Sequence, residues 1–187
     1  MARIEIISFS GYGHTLKQAE SVQKGAATEG DARLWSIPDD GVMSDPFWEA
    51  ADAADVLVFG SPTYMGAPAW QFKRFADESS KRWMTGAWLD KYAGGFTNSA
   101  SPVGDKGDTI NYFRTFAGQH GMLWVPLGQP PANLMASTRD DRNWAGGSGG
   151  AIAVSPADAS PEQGPSAGDL LSARDYGARL GQIAKRR

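Results

Sequence analysis

Short apolar runs alternate along the chain with longer segments whose apolar residues recur at helical spacing. The first run, from Arg3 to Phe9, is rich in Ile and has the character of a buried strand. In the next segment, from Leu16 to Ala26, apolar residues recur every three or four positions between charged and amide side chains. This alternation predicts an α/β protein built on a parallel sheet.

The same pattern continues through the chain. Strands are predicted near residues 3–9, 32–37, 55–60, 92–97 and 122–127, and helices near 14–29, 46–54, 68–81, 108–120 and 168–185. With right-handed crossovers, five such strands form a parallel sheet with helices on both faces. We expect residues 1–187 to form a single domain.

The loop between the first strand and the first helix reads Ser-Gly-Tyr-Gly-His-Thr over residues 10–15. At such a junction the unpaired backbone N–H groups and the positive end of the helix dipole favour an anion. Ser10 and Thr15 add hydroxyl donors, and the glycines let a ligand approach the backbone. The pattern predicts a phosphate site, although the loop taken alone equally fits a structural turn capped by Ser or Thr.

The kind of phosphate can be narrowed by elimination. The loop has neither the spacing nor the Lys of a P-loop. Leu16 stands where a dinucleotide fingerprint requires its third glycine. His14 is the one loop residue able to carry a positive charge. These features suit a phosphate monoester held by dipoles and hydroxyl groups.

Two more loops follow predicted strands. Residues 61–66 read SPTYMG, and residues 98–104 read NSASPVG. In an open parallel sheet, ligands bind beyond the carboxyl ends of the strands. We therefore expect all three loops to meet at one edge, where one holds the phosphate and two flank a planar ring.

Four blocks, in their order along the chain, resemble those of WrbA-type NAD(P)H:quinone oxidoreductases. They are residues 10–15, 60–66, 83–87 and 120–122, which read SGYGHT, GSPTYMG, WMTGA and HGM. The similarity runs from the first strand to the final helix. It implies a flavodoxin-like fold, an α/β three-layer sandwich with a five-stranded parallel sheet in the order 2-1-3-4-5. It also implies FMN as the cofactor and NAD(P)H as co-substrate.

The resemblance further implies which residues bind the cofactor and the substrates. The phosphate of FMN would contact Ser10, Gly11, Tyr12, Gly13, His14 and Thr15. The flavin ring and the ribityl chain would contact Pro62, Thr63, Tyr64, Met65 and Gly66. The edge of the ring would contact Asn98, Ser99, Ala100, Ser101 and Val103. Tyr12 and Trp83 match aromatic positions that meet nicotinamide or quinone, with a core position as the alternative for Trp83. The family often has a His before His-Gly-Met, where this chain has Gln119 before His120.

The aromatic and His residues outside these blocks have more ordinary explanations. Four Trp residues lie within strand or helix patterns and are expected to be packing residues: Trp35, Trp48, Trp70 and Trp124. His120 stands directly before Gly121, which is typical of the end of a helix.

Composition excludes several other classes of protein. The chain contains no Cys, so disulfides, thiolate metal sites and thiol catalysis are excluded, and its two His residues are too few for a His-based metal site. No apolar run is long enough to span a membrane, and no basic stripe indicates nucleic-acid binding. No signal-peptide pattern precedes the first strand, and we expect a cytoplasmic protein.

The segment from residue 126 to residue 167 departs from the regular pattern. It is rich in Pro, Gly and Ser, and only Ala151 to Val154 has strand character. So long a connection is either functional, as part of a site or an interface, or a mobile surface excursion.

The Gly-Gly-Ser-Gly-Gly run of this segment, residues 146–150, matches the nucleophile elbow of hydrolases. No His follows Ser148, which argues against an esterase.

These patterns together predict an FMN-dependent oxidoreductase that transfers a hydride from NAD(P)H through the flavin to a quinone, two electrons at a time, by a ping-pong scheme. The resemblance also implies a homo-oligomer, a tetramer or dimer. The formal net charge of −3 is small for an electron-shuttling flavodoxin, which usually docks through a strongly acidic surface. The alternatives are such a one-electron carrier and a non-catalytic flavin-binding interaction protein.

Overall fold

In the computed structural model, which describes residues 1–186, a mainly parallel sheet is covered by helices on both faces. The strands are β1 (Ala2–Ser8), β2 (Gly30–Ser36), β3 (Val56–Tyr64), β4 (Ala67–Pro68), β5 (Tyr92–Ser99), β6 (Leu123–Trp124) and β7 (Ala151–Val154). The helices are α1 (His14–Ala26), α2 (Asp45–Ala53), α3 (Trp70–Glu78), α4 (Ser80–Thr85), α5 (Lys106–Gln119) and α6 (Ala167–Ala184).

The main strands lie in the order β2-β1-β3-β5-β6, and each neighbouring pair is parallel. Strand β4 is a short antiparallel partner of β3. With β4 left out of the numbering, the order is 2-1-3-4-5. The predicted flavodoxin-like fold is therefore confirmed.

The edge of the sheet beyond β5 differs from the prediction. Strand β6 covers only residues 123–124 of the predicted strand 122–127, and it pairs with the start of β5. Strand β7 pairs in parallel with the end of β5, from Phe96 to Ser99. The two strands together occupy the fifth position, so the sheet has seven strands among residues 1–186 rather than five. A one-dimensional pattern could not show that two distant segments share one strand position.

Alternation along the central strands divides the core into two clusters. Ile4 and Ile6 of β1 pack with residues of α1 and α6, whereas Ile7 packs with residues of α2, α3 and α5. The second cluster contains nine buried aromatic rings: Phe9, Phe47, Trp48, Phe59, Phe72, Phe75, Trp88, Phe113 and Phe116.

The predicted helix over residues 68–81 is two helices. It begins at Trp70, and a break at Ser79 separates α3 from α4. Ser79 Oγ donates to the backbone O of Ala76 and accepts from His120 Nε2 at 2.9 Å. This contact with a distant residue lies at the break, and helical periodicity did not reveal the break. Within residues 1–186, no helix is both long enough and apolar enough to cross a membrane.

Candidate functional site

A cavity of about 630 Å³ lies at the carboxyl ends of the parallel strands. Its walls come from the last residues of β3 and β5 and from the segments that follow β1, β5 and β7. The lining residues are Tyr12, His14, Thr15, Pro62, Thr63, Tyr64, Asn98, Ser99, Ala100, Ser155, Pro156, Ala157 and Ala159. The three segments predicted to gather at this edge do so, but residues 61–64 and 98–99 are the last residues of β3 and β5 and not loops, because strand pairing continues to this edge. The volume lies within the usual range for a cofactor site.

The hydroxyl group of Ser10 organises the first loop. Its Oγ accepts hydrogen bonds from the backbone N–H groups of Gly13 and Leu16, both at 3.1 Å. A hydroxyl has two acceptor lone pairs and one donor. Since both lone pairs are occupied, what Ser10 can still offer to a ligand is its O–H. The residue thus holds the start of α1 in shape and remains a donor.

Further donors converge near the start of α1. The backbone N–H groups of Tyr12, His14 and Thr15 make no hydrogen bond to any other part of residues 1–186. The Thr15 side chain is buried, with 2% of its surface exposed, and lines the cavity. No Lys or Arg lines the cavity within the described chain. Amide and hydroxyl donors at a helix N-terminus fit a phosphate monoester.

His14 connects the first loop to a distant segment. Its Nδ1 lies 2.9 Å from the backbone O of Gly164, so Nδ1 donates this hydrogen bond. Pro161 lies against Gly13, where a Cβ atom would come within 2.7 Å of the proline ring. Gly13 has φ of 88°, a conformation that favours glycine. The segment after β7 thus packs directly on the first loop.

The second loop places an aromatic side chain beside the first. The rings of Tyr12 and Tyr64 meet edge to face, with centroids 6.4 Å apart. Burial and the nearby Tyr12 raise the pKa of the Tyr64 hydroxyl, which therefore stays neutral at physiological pH. Thr63 Oγ1 lies 2.8 Å from the hydroxyl oxygens of both Thr97 and Thr109, which fixes this wall.

The third loop is joined to the segment after β7. Ser155 Oγ donates to Asn98 Oδ1 at 3.0 Å, and Ser155 N donates to the backbone O of Ser99 at 3.2 Å. The wall formed by Ser155, Pro156, Ala157 and Ala159 was not predicted from the sequence. The strand character of residues 151–154 was a usable signal, because a residue after a parallel strand reaches the same sheet edge.

The predicted site residues divide into two groups. Nine line the cavity: Tyr12, His14, Thr15, Pro62, Thr63, Tyr64, Asn98, Ser99 and Ala100. Seven others lie in the same loops without lining it: Ser10, Gly11, Gly13, Met65, Gly66, Ser101 and Val103. Met65 and Val103 project into solvent. Gly11 lies against Tyr64, whose hydroxyl would be 2.6 Å from an added Cβ.

The remaining aromatic and His predictions have different outcomes. Trp83 is half-exposed and does not line the cavity. Trp70, expected to pack in the core, is 59% exposed, because it begins α3 at the surface. His120 ends α5 as expected, and it is buried against Trp88 with ring centroids 4.4 Å apart. Gln119 is exposed, and neither it nor His120 lines the cavity.

Comparisons with known proteins agree with this architecture. Residues 31–137 match the family model described as NADPH-dependent FMN reductase. The chain is 44% identical to flavodoxin FldP of Pseudomonas aeruginosa, over 99% of this chain and 98% of that protein. It is 31% identical to an NAD(P)H dehydrogenase (quinone) of Trichlorobacter lovleyi, over 100% and 98% of the two chains. The solved structure of a flavodoxin, WrbA-like protein from Agrobacterium tumefaciens superposes with a TM-score of 0.81 at 44% identity, covering 100% of this chain and 99% of that one.

Proposed function

Because the chain belongs to the NADPH-dependent FMN reductase family, as a WrbA-type flavodoxin-like protein with FMN as cofactor and NAD(P)H as co-substrate, we propose that it is an NAD(P)H:quinone oxidoreductase. The balanced reaction converts NAD(P)H, a proton and a quinone into NAD(P)⁺ and a quinol. When bound, FMN supplies the redox chemistry, since it accepts two electrons with a proton from the nicotinamide and passes them to the quinone. The protein binds, orients and shields the reactants.

The observation that carries the proposal is the division of the cavity into a donor-rich end and a neutral aromatic end. Thr15 and the unpaired backbone N–H groups of His14 and Thr15 suit the FMN phosphate, with the O–H of Ser10 in the same loop as a further donor, and Tyr12 and Tyr64 suit flat rings. We assign the phosphate to residues 10–15, the ring and ribityl chain to 62–66 and the ring edge to 98–103. Ser155 to Ala159 form a further wall. No titrating side chain is needed for hydride transfer, so orientation is the main contribution of the protein.

A kinetic experiment tests the reaction. If nicotinamide and quinone use one exposed face in turn, initial-rate plots at several fixed concentrations of the second substrate give parallel lines, as in ping-pong turnover. Intersecting lines would indicate a ternary complex and a second site. No quinone turnover by the FMN-loaded protein with either NADH or NADPH would refute the oxidoreductase proposal.

A binding experiment tests the phosphate assignment. Thr15→Ala removes one hydroxyl donor to a dianion, and FMN binding should weaken by roughly 1.5–3 kcal/mol, the range for charge-assisted hydrogen bonds. Riboflavin, which lacks the phosphate, should bind both proteins equally. Thr28→Ala is the matched control, because Thr28 lies beyond the opposite end of α1. Equal affinity of the unmodified protein for FMN and riboflavin would contradict the assignment.

A one-electron carrier is the second candidate, favoured by the name of the relative that is 44% identical, flavodoxin FldP. The two functions differ in how electrons are taken up. A carrier accepts them singly, at two well-separated potentials, and an oxidoreductase of the proposed kind accepts a pair at one potential. A reductive titration of the FMN-loaded protein at controlled potential separates the two cases.

We also propose a cytoplasmic homo-oligomer, a tetramer or dimer, in which Trp83 completes the site of a second copy. Trp83 and Met84 expose 55% and 77% of their surfaces in the single chain, as an interface segment does before assembly. Light scattering at micromolar concentration tests assembly, and a monomer would contradict it.

A variant tests the role of Trp83. Trp83→Ala should lower quinone turnover while FMN stays bound. A large loss of melting temperature with unchanged activity per folded molecule would instead indicate packing alone.

A further inference from the structure

A buried lysine lies directly behind one wall of the cavity. Lys106 is the first residue of α5, and only 1% of its surface is exposed. Its Nζ donates to Ser99 Oγ at 2.8 Å and to the backbone O of Ser101 at 2.6 Å. Ser99 itself lines the cavity. The ammonium group is therefore one hydrogen bond away from the cavity wall.

The local backbone is arranged to bring Lys106 into this position. Asp105 precedes the helix with φ of 50°, which is uncommon for a residue other than glycine. This turn directs the next side chain back beneath the 98–101 loop. Burying an ammonium is costly unless it is hydrogen-bonded and compensated by charge. The two charge-assisted bonds from Nζ to this loop offset part of that cost.

The charges around Lys106 come from three segments. Asp105 lies directly before Lys106 at the start of α5. Asp169 of α6 lies close enough to favour the charged ammonium. Arg139 in turn acts on Asp169, whose carboxylate accepts from the backbone N–H of Val154. Burial lowers the pKa of Lys106 to about 8, and both aspartates act in the opposite direction. Lys106 is therefore positively charged at neutral pH and below.

This lysine has no part in the proposed phosphate site, because the donor-rich loop is residues 10–15 and Lys106 contacts residues 99 and 101. Its position is that of a fixed charge beside the end of the cavity assigned to the ring edge. Charge near a flavin ring is one of the means by which proteins tune the cofactor.

We propose that Lys106 is a positioning residue that raises the reduction potential of bound FMN by holding a positive charge beneath the 98–101 loop. The proposal rests on the FMN site described above. Reduction increases the negative charge of the cofactor, so a nearby ammonium stabilises the reduced form more than the oxidised form. A unit charge within about 10 Å, at an effective dielectric constant of about 20, changes such an equilibrium by on the order of tenfold.

The first test is Lys106→Gln, which removes the charge but keeps N–H donors for Ser99 and Ser101. The midpoint potential of bound FMN is measured at about pH 6.5, below the pKa of about 8 at which Lys106 titrates. We expect the reduced form to bind about tenfold less tightly relative to the oxidised form. For a two-electron couple this corresponds to a potential about 30 mV more negative. The affinity for oxidised FMN and the melting temperature should change little.

A second variant should shift the potential in the opposite direction. Asp169→Asn removes a negative charge near Lys106 and keeps an oxygen that can accept from Val154 N–H. The potential should become less negative. Lys24→Gln is the control: Lys24 is an exposed residue in the last turn of α1, and its replacement changes the net charge equally. The midpoint potential of FMN bound to Lys24→Gln should stay unchanged.

The outcomes separate this proposal from the enzymatic one, since potential and FMN affinity are measured without quinone. An unchanged potential in FMN-loaded Lys106→Gln would overturn the role of Lys106, whatever the turnover. If Lys106→Gln failed to fold, Lys106→Met, which keeps the length of the side chain and removes its charge, would take its place in the same measurement. If the potential of Lys106→Gln shifted by the same amount as that of Lys24→Gln, the shift would come from the net charge of the protein and not from the position of Lys106. Opposite shifts in the two variants, together with an unchanged control, would support the proposal even in a protein that reduces no quinone.

Discussion

The two faces of the sheet are built on different packing principles. On the face covered by α2, α3 and α5, aromatic rings fill the space, and Trp88 stacks near Trp48 and Phe75. On the other face, α1 and α6 approach so closely that their backbones touch. A Cβ atom at Gly177 would lie 2.0 Å from the backbone O of Val22. One face should therefore be sensitive to lost volume and the other to added volume.

The two faces also differ in their relation to the cavity. Helix α1 begins at His14, within the loop that supplies the donors, so the closely packed pair α1 and α6 supports the phosphate end. The aromatic face is covered by α2, α3 and α5, and exposed Trp83 lies in α4, which follows α3. Changes on the aromatic face should affect stability more than cofactor binding, and changes at the start of α1 should do the reverse.

The largest expected effect is on the aromatic face. Trp88→Ala should lower the free energy of unfolding by roughly 3–5 kcal/mol, because a fully buried indole leaves a cavity among rigid rings. It also removes the hydrogen bond from Trp88 Nε1 to Asp52 at 2.9 Å. Denaturant unfolding measures the loss. Trp88→Phe keeps most of the ring volume and should cost clearly less; an equal loss in both variants would indicate that volume is not the deciding factor.

The second largest expected effect concerns the close contact between α1 and α6. Gly177→Ala places a methyl group against the backbone of α1, which cannot move as a flexible side chain can. Overpacking of this kind should cost about 3 kcal/mol. The matched control is Gly118→Ala in α5, where nothing lies within 4 Å of the added carbon. Since alanine favours helix more than glycine, the control should be neutral or stabilised by about 0.5–1 kcal/mol. Similar losses in both variants would contradict the close-contact interpretation.

Acid should act on the aromatic face through His120. Burial lowers the pKa of His120 from 6.5 to about 4, and its Nδ1 has no partner among the described residues. Between these two values the unfolded chain binds a proton that the folded chain does not. Stability should therefore fall as the pH drops from 6.5 to 4, by roughly 2–3 kcal/mol. Unfolding measured across this range checks the prediction.

A variant isolates this effect from other titrations. Burial raises the pKa values of Glu5 and Asp169, and these carboxyl groups act in the opposite sense as the pH falls. The difference between the wild type and His120→Leu removes their contribution. His120→Leu should be less sensitive to acid between pH 6.5 and 4, even if it is less stable at neutral pH. An identical slope in the two proteins would show that His120 is not the responsible group.

The smallest expected effect concerns the start of α1. Ser10→Ala removes the acceptor for Gly13 N–H and Leu16 N–H and should destabilise the cofactor-free protein by about 1 kcal/mol, as typical caps do. It also removes a donor to the phosphate, so FMN binding should weaken more than folding does. Calorimetry with and without FMN measures both. A loss confined to folding would mean that Ser10 only caps the helix.

The sequence was most informative where structure is local. Residues 10–15 stand between a strand and a helix, and the signal for the loop, its glycines and its hydroxyl groups all lie within a few positions. The same holds for the alternation that predicted strands and helices, since each face of a strand depends on its nearest neighbours along the chain. The ends of α5 and α6 were likewise predicted within about two residues.

The features that were missed depend on distant contacts. The break at Ser79 lies where that residue meets His120, and the exposure of Trp70 depends on where α3 meets the core. The wall formed by Ser155 to Ala159 depends on β7 pairing with β5, after a long excursion that begins beyond β6. No periodicity within the segment encodes that pairing.

By itself, the sequence determined the α/β class and the three polar segments that follow predicted strands, because these follow from short-range alternation and turn chemistry. The strand order came from the family resemblance that the same segments carry. Tertiary structure alone decided which side chains face the cavity, how the fifth strand position is divided, and that Lys106 is buried behind Ser99. The physical reason is that burial, close backbone approach and the position of a charge depend on segments far apart in the chain. Those properties exist only once the segments have packed together.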